Sequence, residues 1–120
     1  MKVSVIVRCA RTYGLLEPLG ALAEQDFVGD WEIVVVDWLY EERKELLAGL
    51  WAEHLKHRPA SPPLIHVPPL PPLPSRGGQY HAWDLCLSFN TGLAHARGEV
   101  VMHLEDHWVV RRDWVRTFND

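Results

Sequence analysis

The chain has 120 residues, of which 48% are hydrophobic and 23% charged, and this composition is typical of one globular domain, residues 1–120. Its 16 acidic and 12 basic residues give a net charge of −4, which argues against nucleic acid as a main partner because phosphate binding requires a positive field. No stretch approaches the roughly 20 apolar residues of a membrane span, so no transmembrane segment is predicted. We expect no signal peptide, and we interpret Cys9 and Cys86 as free, buried thiols of a cytoplasmic protein.

The first half of the chain alternates β-branched runs with helical patterns. Val3–Val7 and Trp31–Val36 are short, nearly continuous apolar runs, which is typical of strands buried on both faces. Helical spacing of apolar residues follows each run, over 15–23 and over 41–56. In the second helix the charged residues, among them Arg43 and Lys44, are expected in solvent. The inward face is predicted to contain Leu46, Leu47, Leu50 and Leu55.

A proline-rich segment interrupts this alternation. Eight of the nine prolines lie between residues 59 and 74, and two glycines extend the segment to residue 79. Such a density of proline leaves room only for a weak strand at Leu64–Val67. Two interpretations stay open, a docking segment recognised by an SH3-like groove and a stiff surface loop inside the domain.

The second half contains one helix, one strand and an acidic cluster. A helix is predicted over Trp83–Ala96, and the strand Val100–Leu104 follows it. Four residues of this helix are expected to face the protein interior, namely Leu85, Leu87, Leu93 and Ala94. The strand ends in Glu105, Asp106 and His107, three side chains of the types that bind divalent metals. Because buried acids at the end of a strand are costly unless they are hydrated, paired or metal-bound, this cluster is the first candidate for a functional site.

The order of the elements predicts an α/β domain with a mostly parallel sheet and right-handed crossovers. In such sheets ligands bind beyond the carboxyl ends of the strands. The segment Arg8–Arg11, Asp37 and the cluster Glu105–His107 each follow a strand directly. We therefore expect these three polar groups to converge along one edge of the sheet.

Four stretches of the chain resemble the nucleotide-binding half of family 2 glycosyltransferases, which have the GT-A fold. They are Val3–Val7, Trp31–Asp37, the pattern Asn-x-Gly-x-x-x-Ala-Arg-Gly that begins at Asn90, and Leu104–His107. Their order and spacing match the family over nearly the whole chain. The resemblance implies a GT-A, Rossmann-like fold and an enzyme that transfers sugar, with inversion, from a nucleotide-diphospho-sugar donor to an unknown acceptor.

The resemblance also implies roles for single residues. Asp37 matches the carboxylate that hydrogen-bonds the nucleotide base, and Asn90 and Arg97 match positions near the nucleotide-sugar. The residues by themselves leave alternatives open, because Asp37 is also suited to cap the following helix. Arg97 is likewise suited to act as a cation at a helix C-terminus.

The acidic cluster matches the metal-binding Asp-x-Asp motif of the family, with one variation. Glu105 and His107 fall at the two acidic positions, and Asp106 lies between them. The resemblance therefore implies that Glu105, Asp106 and His107 hold Mn²⁺ or Mg²⁺, with Glu105 also near the nucleotide-sugar. Histidine as a ligand favours manganese over magnesium, and the bound ion neutralises the diphosphate.

The chain departs from the family pattern in three respects. Arg8–Arg11 replaces a Pro-Thr-Tyr-Asn-like loop, and Trp38–Tyr40 replaces the acid and Gly-Ser that usually follow Asp37. The family's catalytic base has no counterpart here, so no catalytic residue is predicted. We expect either a truncated part of a longer enzyme or a reduced nucleotide-binding module.

Two rival classes are kept beside the transferase. One is a non-catalytic nucleotide-binding or interaction module that uses the proline-rich segment as a docking strip. The other is a receiver-like signalling domain, since Asp37 ends a buried strand. The receiver class is disfavoured because the chain lacks paired acids near its first strand and a suitably placed lysine.

Overall fold

The computed structural model describes residues 2–10, 14–70, 82–106 and 108–119, with only the backbone described for 82–85. The elements in these ranges are β1 (Val3–Cys9), α1 (Leu16–Ala23), β2 (Trp31–Asp37), α2 (Tyr40–His57), β3 (Leu64–Val67), α3 (Ala82–His95), β4 (Val100–Glu105) and α4 (Trp114–Thr117). The predicted α/β alternation is thereby confirmed. None of the described helices has both the length and the apolar character needed to cross a membrane.

The four described strands form one parallel sheet in the order β3-β2-β1-β4. The chain steps outward from β1 to β2 and β3, and then returns to the other side of β1 to add β4. Because parallel crossovers are right-handed, this reversal places α1 and α2 on one face of the sheet and α3 on the other. The reversal also creates a topological switch point between β1 and β4, the place where open α/β sheets bind ligands.

Alternate residues of each strand point to two separate cores. On one face, which we call the α2 face, apolar strand residues pack with leucines of α1 and with Leu47 and Trp51 of α2. The opposite face, which we call the α3 face, buries a smaller group. Its members are Ile6, Val34, Val36, Ile65, Val67 and Ala96. A polar residue at a strand end is thereby assigned to one face or the other by its position in the alternation.

The inward face of α2 differs from the prediction. Leu47 and Trp51, spaced by four residues, are buried in the α2 face, whereas Leu46 and Leu50 are 52% and 46% exposed. The indole N–H of Trp51 also donates to the carbonyl oxygen of Pro62 at 3.0 Å. One helical stripe therefore suffices to cover the sheet, and the neighbouring stripe that carries Leu46 and Leu50 faces solvent.

The inward face of α3 also differs from the prediction, since Leu93 and Ala94 are exposed and Leu87 is half-buried, while the side chain of Leu85 lies outside the described residues. Ser88, Thr91 and Gly92 are buried, whereas Leu93 is 42% exposed and Cys86 is exposed rather than buried. A side chain at Gly92 would place its Cβ only 2.5 Å from a methyl carbon of Ile6 in β1. Small residues face the sheet because the helix backbone approaches β1 so closely.

The described end of the proline-rich segment is tied to α3. The backbone N–H of Leu70 donates to the hydroxyl oxygen of Thr91 at 2.9 Å, and the Thr91 hydroxyl donates in turn to the Leu87 carbonyl. The prolines from residue 71 onward lie outside the described residues. The contact at Leu70 fits a surface loop that packs on its own domain, one of the two interpretations left open above.

Candidate functional site

The carboxyl ends of β1, β2 and β4 bring the predicted polar residues to one edge of the sheet. In the parallel register, Cys9 pairs with Asp37 and Arg8 pairs with Glu105. The backbone N–H of Asp106 donates to the carbonyl oxygen of Arg8 at 3.1 Å, which continues the pairing one residue beyond β4. The expected convergence at this edge is therefore present for the described members, while Arg11 lies outside the described residues.

Asp37 is enclosed by partners from its own chain. Its side chain is fully buried, and Oδ1 accepts the Leu39 N–H at 2.9 Å and Arg43 Nη2 at 2.6 Å. Its Oδ2 accepts Arg43 Nε at 2.9 Å and lies 3.0 Å from His66 Nε2. Burial by itself would raise the pKa of Asp37. The hydrogen bonds from His66, Arg43 and the Leu39 amide, with the Arg43 charge, instead lower this pKa below its ordinary value of 3.8.

A charged carboxylate with four such contacts has its hydrogen-bonding capacity filled. The contact with the Leu39 N–H is an Asx-type turn at the start of α2, so Asp37 does stabilise the beginning of that helix. Contact of Asp37 with a nucleotide base stays a prediction. It would require Asp37 to exchange one of these four partners for the ligand.

Arg43 connects Asp37 to the ends of β1 and β4. Its Nη2 lies 3.2 Å from the Cys9 sulfur, and that sulfur lies 3.7 Å from Asp106 Oδ2. Burial by itself would lower the pKa of Arg43, but the hydrogen bond and charge of Asp37 outweigh it and raise this pKa, so the guanidinium stays charged. The side chain is only 12% exposed, so its expected place in the solvent-facing charges of α2 was wrong.

Sequence reasoning also missed His66, since β3 carries no motif. A usable signal did exist for Arg43. It lies in the first turn of α2, and the N-terminus of a crossover helix begins at the same edge as the strand that precedes it. A cation six residues after Asp37 is therefore placed to return to that carboxylate.

Glu105 and Asp106 are adjacent in the chain but lie on opposite faces of the sheet. Glu105 Oε1 accepts a hydrogen bond from Arg8 Nη2 at 2.6 Å on the α3 face. Asp106 lies beside Cys9 on the α2 face and is 8% exposed, whereas the Glu105 side chain is 48% exposed. The two carboxylates therefore do not point at a common position.

The described residues do not by themselves fit the predicted metal centre. No group of three or more His, Cys, Asp or Glu side chains within 2–10, 14–70, 82–106 and 108–119 is arranged to hold a metal ion. Glu105 is paired with Arg8 and faces away from Asp106. His107, the third predicted ligand, lies outside the described residues. The metal site thus stays a prediction, and Asp106 is its best-placed described member.

Arg97 lies at the opposite edge of the sheet from Asp37. Its backbone N–H donates to Glu32 Oε1 at 2.7 Å, and its guanidinium donates to Oε2 from Nε at 3.4 Å and from Nη2 at 3.3 Å. Glu32 is the second residue of β2 and is fully buried. The structure therefore does not bring Arg97 to the predicted nucleotide edge, and we do not include it in the candidate site.

The role of Asn90 near the nucleotide-sugar stays a prediction. It lies on the exposed side of α3, whereas the neighbouring Ser88 and Thr91 turn toward the protein interior. The described candidate site therefore contains Arg8, Cys9, Asp37, Arg43, His66, Glu105 and Asp106.

Comparisons with known proteins identify solved structures with a similar fold. No protein-family model matches the chain, and no curated protein does so either. The chain is similar in structure to S. aureus TarS 1–349, with a TM-score of 0.65 and 24% identity over 98% of this chain. The complexes of that protein with UDP-GlcNAc and with UDP give TM-scores of 0.67 and 0.63, at 23% and 25% identity.

These similarities establish a GT-A fold. The similar region is the N-terminal part of TarS, which is a family 2 glycosyltransferase with that fold. The chain covers 31%, 30% and 31% of the three TarS chains, so it spans about a third of their length. The fold implied by the sequence resemblance is confirmed.

Proposed function

We propose that the chain binds a nucleotide-diphospho-sugar at the carboxyl edge of its sheet, as the donor-binding part of a sugar-transferring enzyme. The observation that carries this proposal is the switch point between β1 and β4, where Arg8 and Asp106 meet. The similarity to structures with UDP-GlcNAc and UDP, over 98% of this chain, supports it further.

The polar groups at this edge suit such a ligand. Arg8 provides a guanidinium, which pairs well with phosphate oxygens, and it is held at the end of β1 by Glu105. Asp106 provides a carboxylate on the other face, able to accept hydrogen bonds from ribose or sugar hydroxyls. Trp108 follows the cluster and is 58% exposed, so its ring is available to stack on a base or a sugar.

The proposal includes a divalent cation, Mn²⁺ or Mg²⁺, as the resemblance to the Asp-x-Asp motif implies. Asp106 and His107 are its proposed ligands, and Glu105 would join them only after separating from Arg8. When bound, such an ion supplies charge neutralisation for the diphosphate leaving group. Inverting transfer to an acceptor is proposed for the whole enzyme of which this chain would be the donor-binding part.

Isothermal titration of the chain with UDP and with GDP, each with and without Mn²⁺, tests the proposal. We expect saturable binding of at least one of the two nucleotides. Asp106→Asn should weaken it by about tenfold or more, the usual effect of disturbing a site of this kind. The matched control is Glu53→Gln, because Glu53 is an exposed residue of α2 that pairs with Lys56 and His57 of the same helix.

A folded chain that binds neither nucleotide would overturn the proposal. Circular dichroism establishes the folded state in the same samples. Equal losses from Asp106→Asn and Glu53→Gln would place the ligand elsewhere on the protein.

A further inference from the structure

A series of hydrogen bonds at the carboxyl edge connects Asp37 to Asp106 through Arg43 and Cys9. Arg43 donates to Asp37 through both Nε and Nη2, which fixes the plane of its guanidinium. The same Nη2 donates to the Cys9 sulfur at 3.2 Å. A thiol that accepts through sulfur keeps its S–H to donate, and Asp106 Oδ2 lies 3.7 Å from that sulfur.

Asp37 has no direct route to a ligand in this arrangement. Its side chain is fully buried, and its two oxygens are filled by Leu39, Arg43 and His66. Asp106, in contrast, lies at the end of β4 beside the switch point. The influence of Asp37 on that point therefore has to pass through the side chains between them.

We propose that Asp37 and Arg43 act on the candidate donor site through Cys9, as positioning residues that orient the Asp106 carboxylate toward the ligand. The inference rests on the proposed function, because it concerns how the same site holds a nucleotide-diphospho-sugar. Hydrogen bonds in a chain polarise one another where water is excluded, and Cys9 is only 1% exposed. A guanidinium locked by Asp37 thus sets where the Cys9 S–H points, and Cys9 sets the orientation of Asp106.

Three cysteine variants test the chain of contacts. Cys9→Ala removes the link between Arg43 and Asp106, and it should weaken UDP binding in the presence of Mn²⁺ by about tenfold. Cys9→Ser restores a group that accepts and donates, and it should recover most of the lost affinity. Cys86→Ala, at an exposed position of α3, is the matched control and should bind UDP as the unsubstituted chain does.

A double-mutant cycle tests whether Arg43 acts through Cys9. Arg43→Lys keeps the positive charge but loses the fork that reaches Asp37 and Cys9 together, so it should also weaken UDP binding. If both residues act along one path, Cys9→Ala with Arg43→Lys should be no weaker than the worse single variant. A merely structural role would give additive losses in affinity.

The outcomes separate the two proposals. If the folded, unsubstituted chain binds neither UDP nor GDP, the proposed function fails and the inference fails with it; if it binds GDP alone, the same variants are titrated with GDP. If the chain binds UDP but Cys9→Ala binds it equally well, only the inference is overturned. Additive losses in the cycle, or a Cys9→Ser variant no better than Cys9→Ala, overturn it as well.

Discussion

Glu32 and Arg97 are joined by three hydrogen bonds at the amino edge of the sheet, although 65 residues separate them in the chain. The buried carboxylate of Glu32 also accepts the Ser4 hydroxyl at 2.7 Å, and the Gly98 N–H donates to that hydroxyl at 2.8 Å. The connection between α3 and β4 is thereby fixed to the first residues of β1 and β2. The Ala-Arg-Gly end of the motif at residues 96–98 thus has a structural role in this chain.

We expect Glu32→Ala to lower the free energy of unfolding by about 3 kcal/mol or more, since it removes the acceptor of a buried charged network. Arg97→Ala should lower it by less than about 1 kcal/mol. The Arg97 side chain is 67% exposed, and the backbone N–H that reaches Glu32 survives the substitution. Urea unfolding of the two variants measures both values. Equal losses in the free energy of unfolding would contradict the central role of Glu32 in this network. A loss of UDP binding in Arg97→Ala would support the nucleotide role implied by the resemblance instead.

Acid should destabilise the protein through Glu32 and Asp37. Burial would raise the pKa of Glu32, but the hydrogen bonds from Ser4 and the Arg97 amide, with the Lys2 and Arg97 charges, lower it below its ordinary value of 4.5. The pKa of Asp37 is likewise lowered from 3.8. Groups whose pKa is lower in the folded state stabilise the fold above the unfolded-state pKa, and this stabilisation is lost as the pH falls through the folded-state pKa.

The loss in the free energy of unfolding should therefore begin near pH 4.5 and grow below it. Burial also lowers the pKa of His54 and His103 from 6.5, which adds a shallower loss as the pH falls below that value. Urea unfolding at several pH values from neutral to about 3 measures the slope. Glu32→Gln should reduce the acid part of the slope, and an unchanged slope in that variant would contradict the assignment.

Two glycine substitutions in helices should have opposite effects on stability. Gly92→Ala places a Cβ 2.5 Å from the side chain of the fully buried Ile6, so we expect a loss of about 1–3 kcal/mol. Gly49→Ala in α2 meets nothing within 4 Å, so we expect a gain of up to about 1 kcal/mol from the higher helix propensity of alanine. Thermal unfolding compares the two, and a stabilising Gly92→Ala would show that α3 does not pack closely on β1.

The architecture was predictable from the sequence because its strands are buried on both faces. Val3–Val7 and Trp31–Val36 are nearly continuous apolar runs, which are typical of strands covered on both faces. Their alternation with helices implies a parallel sheet. The inward faces of α2 and α3 were less predictable, since they depend on how closely each helix approaches the sheet. Gly92 allows the close contact of α3 with β1, and Trp51 is buried between α2 and the sheet. A prediction based on the spacing of leucines identifies neither residue.

The candidate site was predictable only where residues directly follow strands. The rule that strand ends meet at one edge correctly placed Asp37, Glu105 and Asp106. His66 was not placed by this rule, because its role depends on a side chain that reaches across a strand pair. Arg43 was missed although its position in the first turn of α2 gave a usable signal. Arg97 was assigned by its motif, and the motif alone does not show which edge of the sheet the end of α3 occupies.

The opposite orientation of Glu105 and Asp106 leads to an unequal effect of their substitution on manganese binding. Asp106→Asn should abolish the enhancement of UDP binding by Mn²⁺, and His107→Ala should do the same if histidine completes the site. Glu105→Gln should leave most of the enhancement, because Glu105 is engaged by Arg8 on the α3 face and lies away from Asp106. Titration of each variant with UDP, with and without Mn²⁺, measures the enhancement.

An Arg8→Ala variant tests whether the pairing of Arg8 with Glu105 keeps Glu105 away from the metal. Arg8→Ala removes the partner of Glu105 on the α3 face, whereas the contact of Asp106 with Cys9 lies on the α2 face. If Glu105 is held away from the metal only by Arg8, the Arg8→Ala variant should bind Mn²⁺ itself more tightly, even though it would lose the proposed phosphate contact to UDP. Equal losses of manganese enhancement from Glu105→Gln and Asp106→Asn in the unsubstituted background would show that the two carboxylates converge when ligand binds. An enhancement that survives both substitutions would mean that the acidic cluster does not hold the ion.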